Sequence, residues 1–210
     1  MTLPGSVKGS GTLPLLVAVI SSRPELLRAT RLRQLPDLFE LRLDALAADR
    51  RRDLLRRFLP HATFVDVELR SAEQLRAILE ATKRQDVRRI ISVHELHVTP
   101  PADRLQMLAD AAAATGADLF KIATRTDTPD EIDRLLSFFD SNKGGLAISA
   151  MGIGKLGRVS RRLLAARGSA LNYAHLGTSA AEGQFSLAEM RRVLRGITRS
   201  SAISRLRRSV

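Results

Sequence analysis

Seven short β-rich runs recur along the chain at nearly constant intervals, and this rhythm restricts the fold more than any other feature. They begin at Leu15 (LLVAVI), Asp37 (DLFELRL), Thr63 (TFVDVEL), Arg89 (RIISVHEL), Asp118 (DLFKIAT), Gly145 (GLAISAM) and Ala170 (ALNYAHL), with spacings of 22, 26, 26, 29, 27 and 25 residues. Helix-like segments lie between them. SAEQLRAILEATKRQ places Leu75, Ile78 and Leu79 at helical spacing, and PADRLQMLADAAAATG does the same with Leu105, Leu108 and Ala112. Ser71 and Asp130 stand like helix N-caps, and Gly116 like a C-cap. Strand then helix at a steady period predicts βαβ units and a parallel sheet. The runs are apolar at most positions, as expected for strands covered on both faces. An open doubly wound sheet and a closed barrel both fit. A period held to the C-terminus without a compositional break favours the TIM-type (β/α)8 barrel, a fold of typically about 250 residues with a lower bound of about 200.

The 210-residue chain divides into an expected flexible arm at residues 1–12, a single barrel domain at 13–198 and a basic tail at 199–210. Hydrophobic residues make up 44%, ample for a core. The absence of cysteine excludes disulfide scaffolds and thiolate sites. No apolar run reaches membrane-spanning length, and the N-terminus lacks a secretory pattern. The expectation is a cytoplasmic protein without membrane contact.

A net charge of +12 suggests nucleic acid at first sight. Its placement argues otherwise. Residues 191–210 carry seven arginines and no acid, so the body holds 27 basic against 22 acidic residues. With seven Phe, one Tyr and no Trp, base-stacking platforms are scarce. Nucleic acid is therefore disfavoured as a partner, and a polyanion-binding role for the tail GITRSSAISRLRRSV stands only as an alternative.

Function in such folds sits at the C-terminal ends of the strands. Those ends carry Glu40, Arg42 and Asp44; Asp66 and Glu68; His94 and Glu95; Lys121; and Ser149 and Met151. Lys121, one of five lysines against 29 arginines, lies between Phe120 and Ile122. Desolvation in a barrel mouth would lower its pKa and make it a Schiff-base nucleophile. The alternative is a strand-end lysine that snorkels to solvent. His94 fits a general acid/base or a hydrogen-bonded core histidine. His94 and His97 lack the HExxH pattern and a third ligand, so no metal is expected. Glu40 and Arg42 share one strand face, which suits a polar pocket or a structural ion pair. Gly152, Gly154 and Gly157 match GxGxxG formally. They follow the penultimate strand, and the acid of a dinucleotide site is missing. A glycine turn before Arg161 better suits an anion pocket. The loop TSAAEGQ offers Ser179 and Gln184 as donors over the mouth.

In order, ELRLD (Glu40 to Asp44), FVDVEL, ISVHELHVTP, DLFKIAT, GKLGRVSR (Gly154 to Arg161) and EGQFSLAEMRRVL resemble type I 3-dehydroquinate dehydratase, the lysine-dependent dehydratase of the shikimate pathway. The resemblance covers roughly residues 13–197. It implies a (β/α)8 barrel that converts 3-dehydroquinate to 3-dehydroshikimate through an imine, without cofactor or metal, and a homodimer. It casts Lys121 as the Schiff-base lysine and His94 as the acid/base. Glu40 and Arg42 would contact substrate hydroxyls, Arg161 the carboxylate, and Gln184 and Ser179 would close over it. The family has one further strand after E-x-R-x-D, and the loop after that strand holds a glutamate that orients the histidine. Here residues 45–62 fit one helix (ALAADRRRDLLRRFL), so the barrel is expected to be shortened by about one βα unit, and Arg57 and His61 receive no role. Glu68, on the adjacent strand, is a substitute that could reach His94. A divergent barrel with weak or lost activity is the alternative that this deletion raises.

Overall fold

The computed structural model describes the backbone of residues 14–42, 48–142 and 145–208, and the side chains of residues 14–42, 53–142 and 145–198. The expected arm at 1–12, Asp44 and the side chains of 199–210 lie outside the described residues. The elements alternate as expected: β1 (Leu15–Ile20), α1 (Arg23–Ala29), β2 (Leu38–Leu41), α2 (Ala48–Phe58), β3 (Phe64–Glu68), α3 (Arg76–Arg84), β4 (Arg88–Glu95), α4 (Ala102–Ala114), β5 (Leu119–Arg125), α5 (Pro129–Ser141), β6 (Ala147–Ile153), α6 (Gly157–Ala166) and β7 (Leu171–His175). A two-residue strand, β8 (Phe185–Ser186), and α7 (Leu187–Arg208) complete the order. No helix among the described residues is long and apolar enough to cross a membrane.

All strand pairs are parallel, in two four-stranded sheets with orders β2-β1-β7-β8 and β3-β4-β5-β6. The sheets meet at β6 and β7, where the Ala170 amide donates to the Ile148 carbonyl at 2.9 Å and Ser149 Oγ to the Leu171 carbonyl at 2.7 Å. The result is a TIM-type barrel left open between β2 and β3. Among the described residues only α2 and a 3₁₀ turn, Leu59–His61, separate those two strands, in accord with a missing βα unit.

Strand alternation divides the apolar residues between two layers. Val17, Val19, Ile90, Leu119, Ala123, Met151, Leu171 and Tyr173 fill the barrel interior. Outward-facing Val67, Ile91, Phe120, Ile122 and Ile148 pack with Ile78, Leu105, Leu135 and Phe138 of the helices. Leu16, Ala18 and Ala174 meet Leu187 and Met190 of α7.

Local signals are partly corrected. Gly116 takes a left-handed φ of 81° just after the Thr115 cap of α4, a conformation that favours glycine. The N-cap of α5 is Thr128 rather than Asp130. Pro129 opens the helix, and Thr128 and Glu131 form a reciprocal capping box. Ser71 closes a 3₁₀ turn, and α3 starts only at Arg76. The eighth strand escapes a periodicity reading because two residues carry no period.

Candidate active site

β5 is buried along almost its whole length, with Phe120 and Ile122 facing the helices and Lys121 therefore facing the barrel interior. Lys121 is only 7% exposed. It does not snorkel. Its ammonium donates to Asp66 Oδ2 at 2.7 Å and Glu40 Oε1 at 3.0 Å, and lies 4.4 Å from the centre of the Tyr173 ring. Glu40 ends β2's inward series and Asp66 is the middle of β3, so the lysine bridges the two strands that flank the opening. The expected lowering of its pKa is reversed. Burial pulls the value down, but Asp66, Tyr173 and Glu40 together carry it well above the ordinary lysine value.

His94 lies on β4, two residues beyond Ser92, which is paired in register with Lys121. It therefore sits about 6–7 Å further toward the mouth. Its Nδ1 meets Glu68 Oε2 at 2.8 Å, with the histidine side chain 38% exposed and the glutamate 23%. Ser92 Oγ donates to the same oxygen at 3.3 Å. Burial pushes the Glu68 carboxyl up, but the contact with His94 and the charge of Arg70 bring it below the ordinary glutamate value. A carboxylate on Nδ1 holds the ring in one orientation. The partner is the adjacent-strand glutamate that the sequence offers as within reach of His94.

Arg161 is buried on α6. Its Nε donates to the Gly152 carbonyl at 3.0 Å and Nη1 to the Tyr173 carbonyl at 3.3 Å. No carboxylate pairs with it among the described residues, and burial alone pushes its pKa down to about 10. A dry guanidinium on neutral partners keeps its charge uncompensated among the described residues. The glycines before it serve packing. A Cβ on Gly152 would collide with the hydroxyls of Ser160 and Thr126, and Gly183 holds φ at 81° against the backbone of Gly157. These contacts seat the β6–α6 turn under the loop before β8.

That loop keeps its polar groups to itself. Gln184 is buried, with Oε1 accepting from the Ala180 amide at 3.0 Å. Ser179 is exposed and donates to the Ala181 carbonyl. Arg42 follows β2 and is exposed, its amide donating to the Ile20 carbonyl at 3.0 Å. Glu40 and Lys121 are in direct contact, His94 stands above them with Glu68, and Arg161 joins through the Tyr173 backbone. Ser179 and Gln184 bond within their own loop instead. Two inward residues of β7 went unremarked in the sequence, Tyr173 and His175. The alternation in LNYAHL, with the chain's single tyrosine, was the available signal.

Residues 45–201 match the family model described as Type I 3-dehydroquinase. The chain belongs to this family. A 3-dehydroquinate dehydratase of Pyrococcus abyssi is 33% identical over 151 residues, 71% of this chain and 68% of that protein. That of Methanosarcina barkeri is 30% identical over 134 residues, 62% of this chain and 55% of its own length. The chain thus spans between about half and two-thirds of these curated relatives.

Solved type I 3-dehydroquinases share the fold. The 3-dehydroquinate dehydratase of Geobacillus kaustophilus superimposes with a TM-score of 0.79 at 22% identity, covering 90% of this chain and 92% of that one. The Clostridium difficile enzyme, whose crystal structure carries covalently modified comenic acid, gives a TM-score of 0.81 at 20% identity, covering 90% and 94%. The barrel is therefore that of the type I 3-dehydroquinases.

Proposed function

We propose that this chain dehydrates 3-dehydroquinate to 3-dehydroshikimate through an imine on Lys121, as a cytoplasmic homodimer in aromatic amino acid biosynthesis. Family membership supports the substrate, and the observation that carries the mechanism is the contact of Lys121 with Asp66 and Glu40. The ammonium must lose a proton before it can attack. Asp66, the shorter contact at 2.7 Å, is the acceptor. The free amine adds to the ketone carbon, and loss of water, with Asp66 returning the proton, leaves a protonated imine. This electron sink acidifies the neighbouring C–H. His94 takes that proton, held by Glu68, and the electron pair moves into an enamine. The imidazolium then returns a proton to the departing ring hydroxyl, which leaves as water. Hydrolysis of the imine frees the conjugated enone and restores Lys121. Arg161 supplies the charge opposite the substrate carboxylate.

A second reading is favoured by the same ion pairs: Lys121 stays protonated as a strut across the opening, and turnover is weak or lost. One experiment separates them. Incubation with 3-dehydroquinate and borohydride should add a substrate-sized mass at Lys121, and enone absorbance should rise when borohydride is omitted. Absence of both signals overturns the imine reading in favour of the strut, and an adduct with ordinary turnover rejects the strut. Light scattering of the purified chain at the mass of a single copy would overturn the dimer.

A further inference from the structure

Along β7 the inward positions are Leu171 and Tyr173, both in the barrel interior, while Ala174 packs outward with α7. His175 continues the inward series at the C-terminal end of the strand. Its register partner on β1 is Val19, and Val19 is paired in turn with Glu40 of β2. His175, Val19 and Glu40 therefore form one inward row across three adjacent strands, with the two polar residues about 10 Å apart at their Cα atoms. Glu40 touches the Lys121 ammonium at 3.0 Å, and the Tyr173 ring, one inward step below His175, lies 4.4 Å from it. The histidine thus stands at the C-terminal end of the same sheet as Glu40, two strands away from it and one inward step beyond the Tyr173 ring.

Its Nδ1 is buried and has no hydrogen-bond partner among the described residues. Buried polar nitrogens are ordinarily paired, and an orphan beside a reaction centre calls for a partner that arrives with the ligand. The neighbouring positions define that ligand's chemistry. Arg161 reaches the Tyr173 carbonyl from the β6 side and is a cation that no carboxylate pairs among the described residues, whereas Glu40 at the other end of the row is an acceptor for hydroxyls. We infer that His175 is a further substrate-binding residue, whose Nδ1 bonds an oxygen of the hydroxylated ring acid at the Arg161 side of the site. This deepens the dehydratase reading and rests on it for the identity of the acid.

The test combines kinetics with a binding readout. His175→Leu should raise KM for 3-dehydroquinate about tenfold, the value of one lost hydrogen bond, with kcat changed less than about threefold. His175→Asn, whose amide places a polar atom near the Nδ1 position, should regain most of the loss. A structural role would instead lower the melting temperature of both variants and give no rescue by Asn. In the unsubstituted chain, histidine side-chain nitrogen NMR should show the His175 Nδ1 resonance moving on titration with quinate, which has no ketone, and with 3-dehydroquinate. Unchanged kinetic constants in His175→Leu, or an Nδ1 resonance indifferent to both acids, overturns the inference whether or not the chain is an active dehydratase. An Nδ1 response in a chain without turnover keeps His175 as a ring-acid contact and overturns the dehydratase reading alone.

Discussion

The barrel has two places where its sheets end, and they are closed by opposite means. Between β6 and β7 the closure is neutral. The Ala170 and Ala150 amides and the Ser149 and Ser169 hydroxyls cross it at 2.7 to 3.1 Å, and Arg161 spans two carbonyls above them. Between β2 and β3, where no strand is described, the crossing is ionic and runs through the Lys121 ammonium to Glu40 and Asp66. The first closure holds no group that must change its protonation state for the proposed reaction. The second is made by the very group that has to shed its proton to react, so stability is coupled to the protonation of the proposed nucleophile there and not at β6/β7.

The largest effect should come from Lys121→Met. It removes the cation and leaves two partly buried carboxylates facing each other, a loss of about 3 kcal/mol by the usual cost of breaking a buried pair. Urea unfolding measures it. Adding Glu40→Gln and Asp66→Asn to the same chain should recover most of the loss, because the repulsion goes with the charges. A Lys121→Met chain as stable as its parent would show that the opening needs no ionic strut.

Arg161→Met probes the neutral closure. Two carbonyls lose a donor, which costs about 1–2 kcal/mol, less than the lysine change, since no charge is stranded. Under the dehydratase reading, kcat/KM should nevertheless fall about 10- to 100-fold, the weight of a charged hydrogen bond to a carboxylate. An equal or greater stability loss than at Lys121 would erase the distinction between the two closures.

Much of this arrangement was legible in the chain. The strand rhythm gave the barrel, and the short interval at residues 45–62 gave the missing unit. Glu40, Asp66, Glu68, His94 and Lys121 all read as polar groups at strand ends. What the sequence hid was the charge state of Lys121. Its partners lie 81 and 55 residues away, and only closure of the fold brings three strands to one ammonium. A lysine flanked by Phe120 and Ile122 looks desolvated, and desolvation alone would have lowered its pKa. His175 was hidden for a related reason: an apolar strand ending in histidine shows no vacancy until its register against β1 and β2 is known.

The Glu68–His94 pair gives a smaller, pH-dependent effect. Glu68 is held below its ordinary value, so its contribution to stability is complete above about pH 4.5 and is lost as pH falls through its folded pKa. Glu68→Gln should remove about 1 kcal/mol at neutral pH and flatten that acidic limb in urea titrations run from pH 7 downward. If the limb keeps its slope in Glu68→Gln, other carboxylates set it, and the histidine is oriented by something else.

The smallest effect tests whether burial, rather than ion pairing as such, distinguishes the β2/β3 closure. Arg125 Nη2 meets Glu182 Oε2 at 3.4 Å on the open rim, where the glutamate side chain is 58% exposed. Asp66, at 24% exposure, meets a lysine that is almost dry. Water and salt screen the first pair and the cost of ordering two long side chains offsets it, whereas the second pair is shielded from both solvent and counterions. Glu182→Gln should leave the urea midpoint within error at physiological salt, while Asp66→Asn lowers it clearly and does so equally at low and high salt. If the two substitutions cost the same, or if the Asp66 effect disappears in salt, the opening between β2 and β3 is hydrated enough to behave as surface, and the coupling of stability to the protonation of Lys121 falls with it.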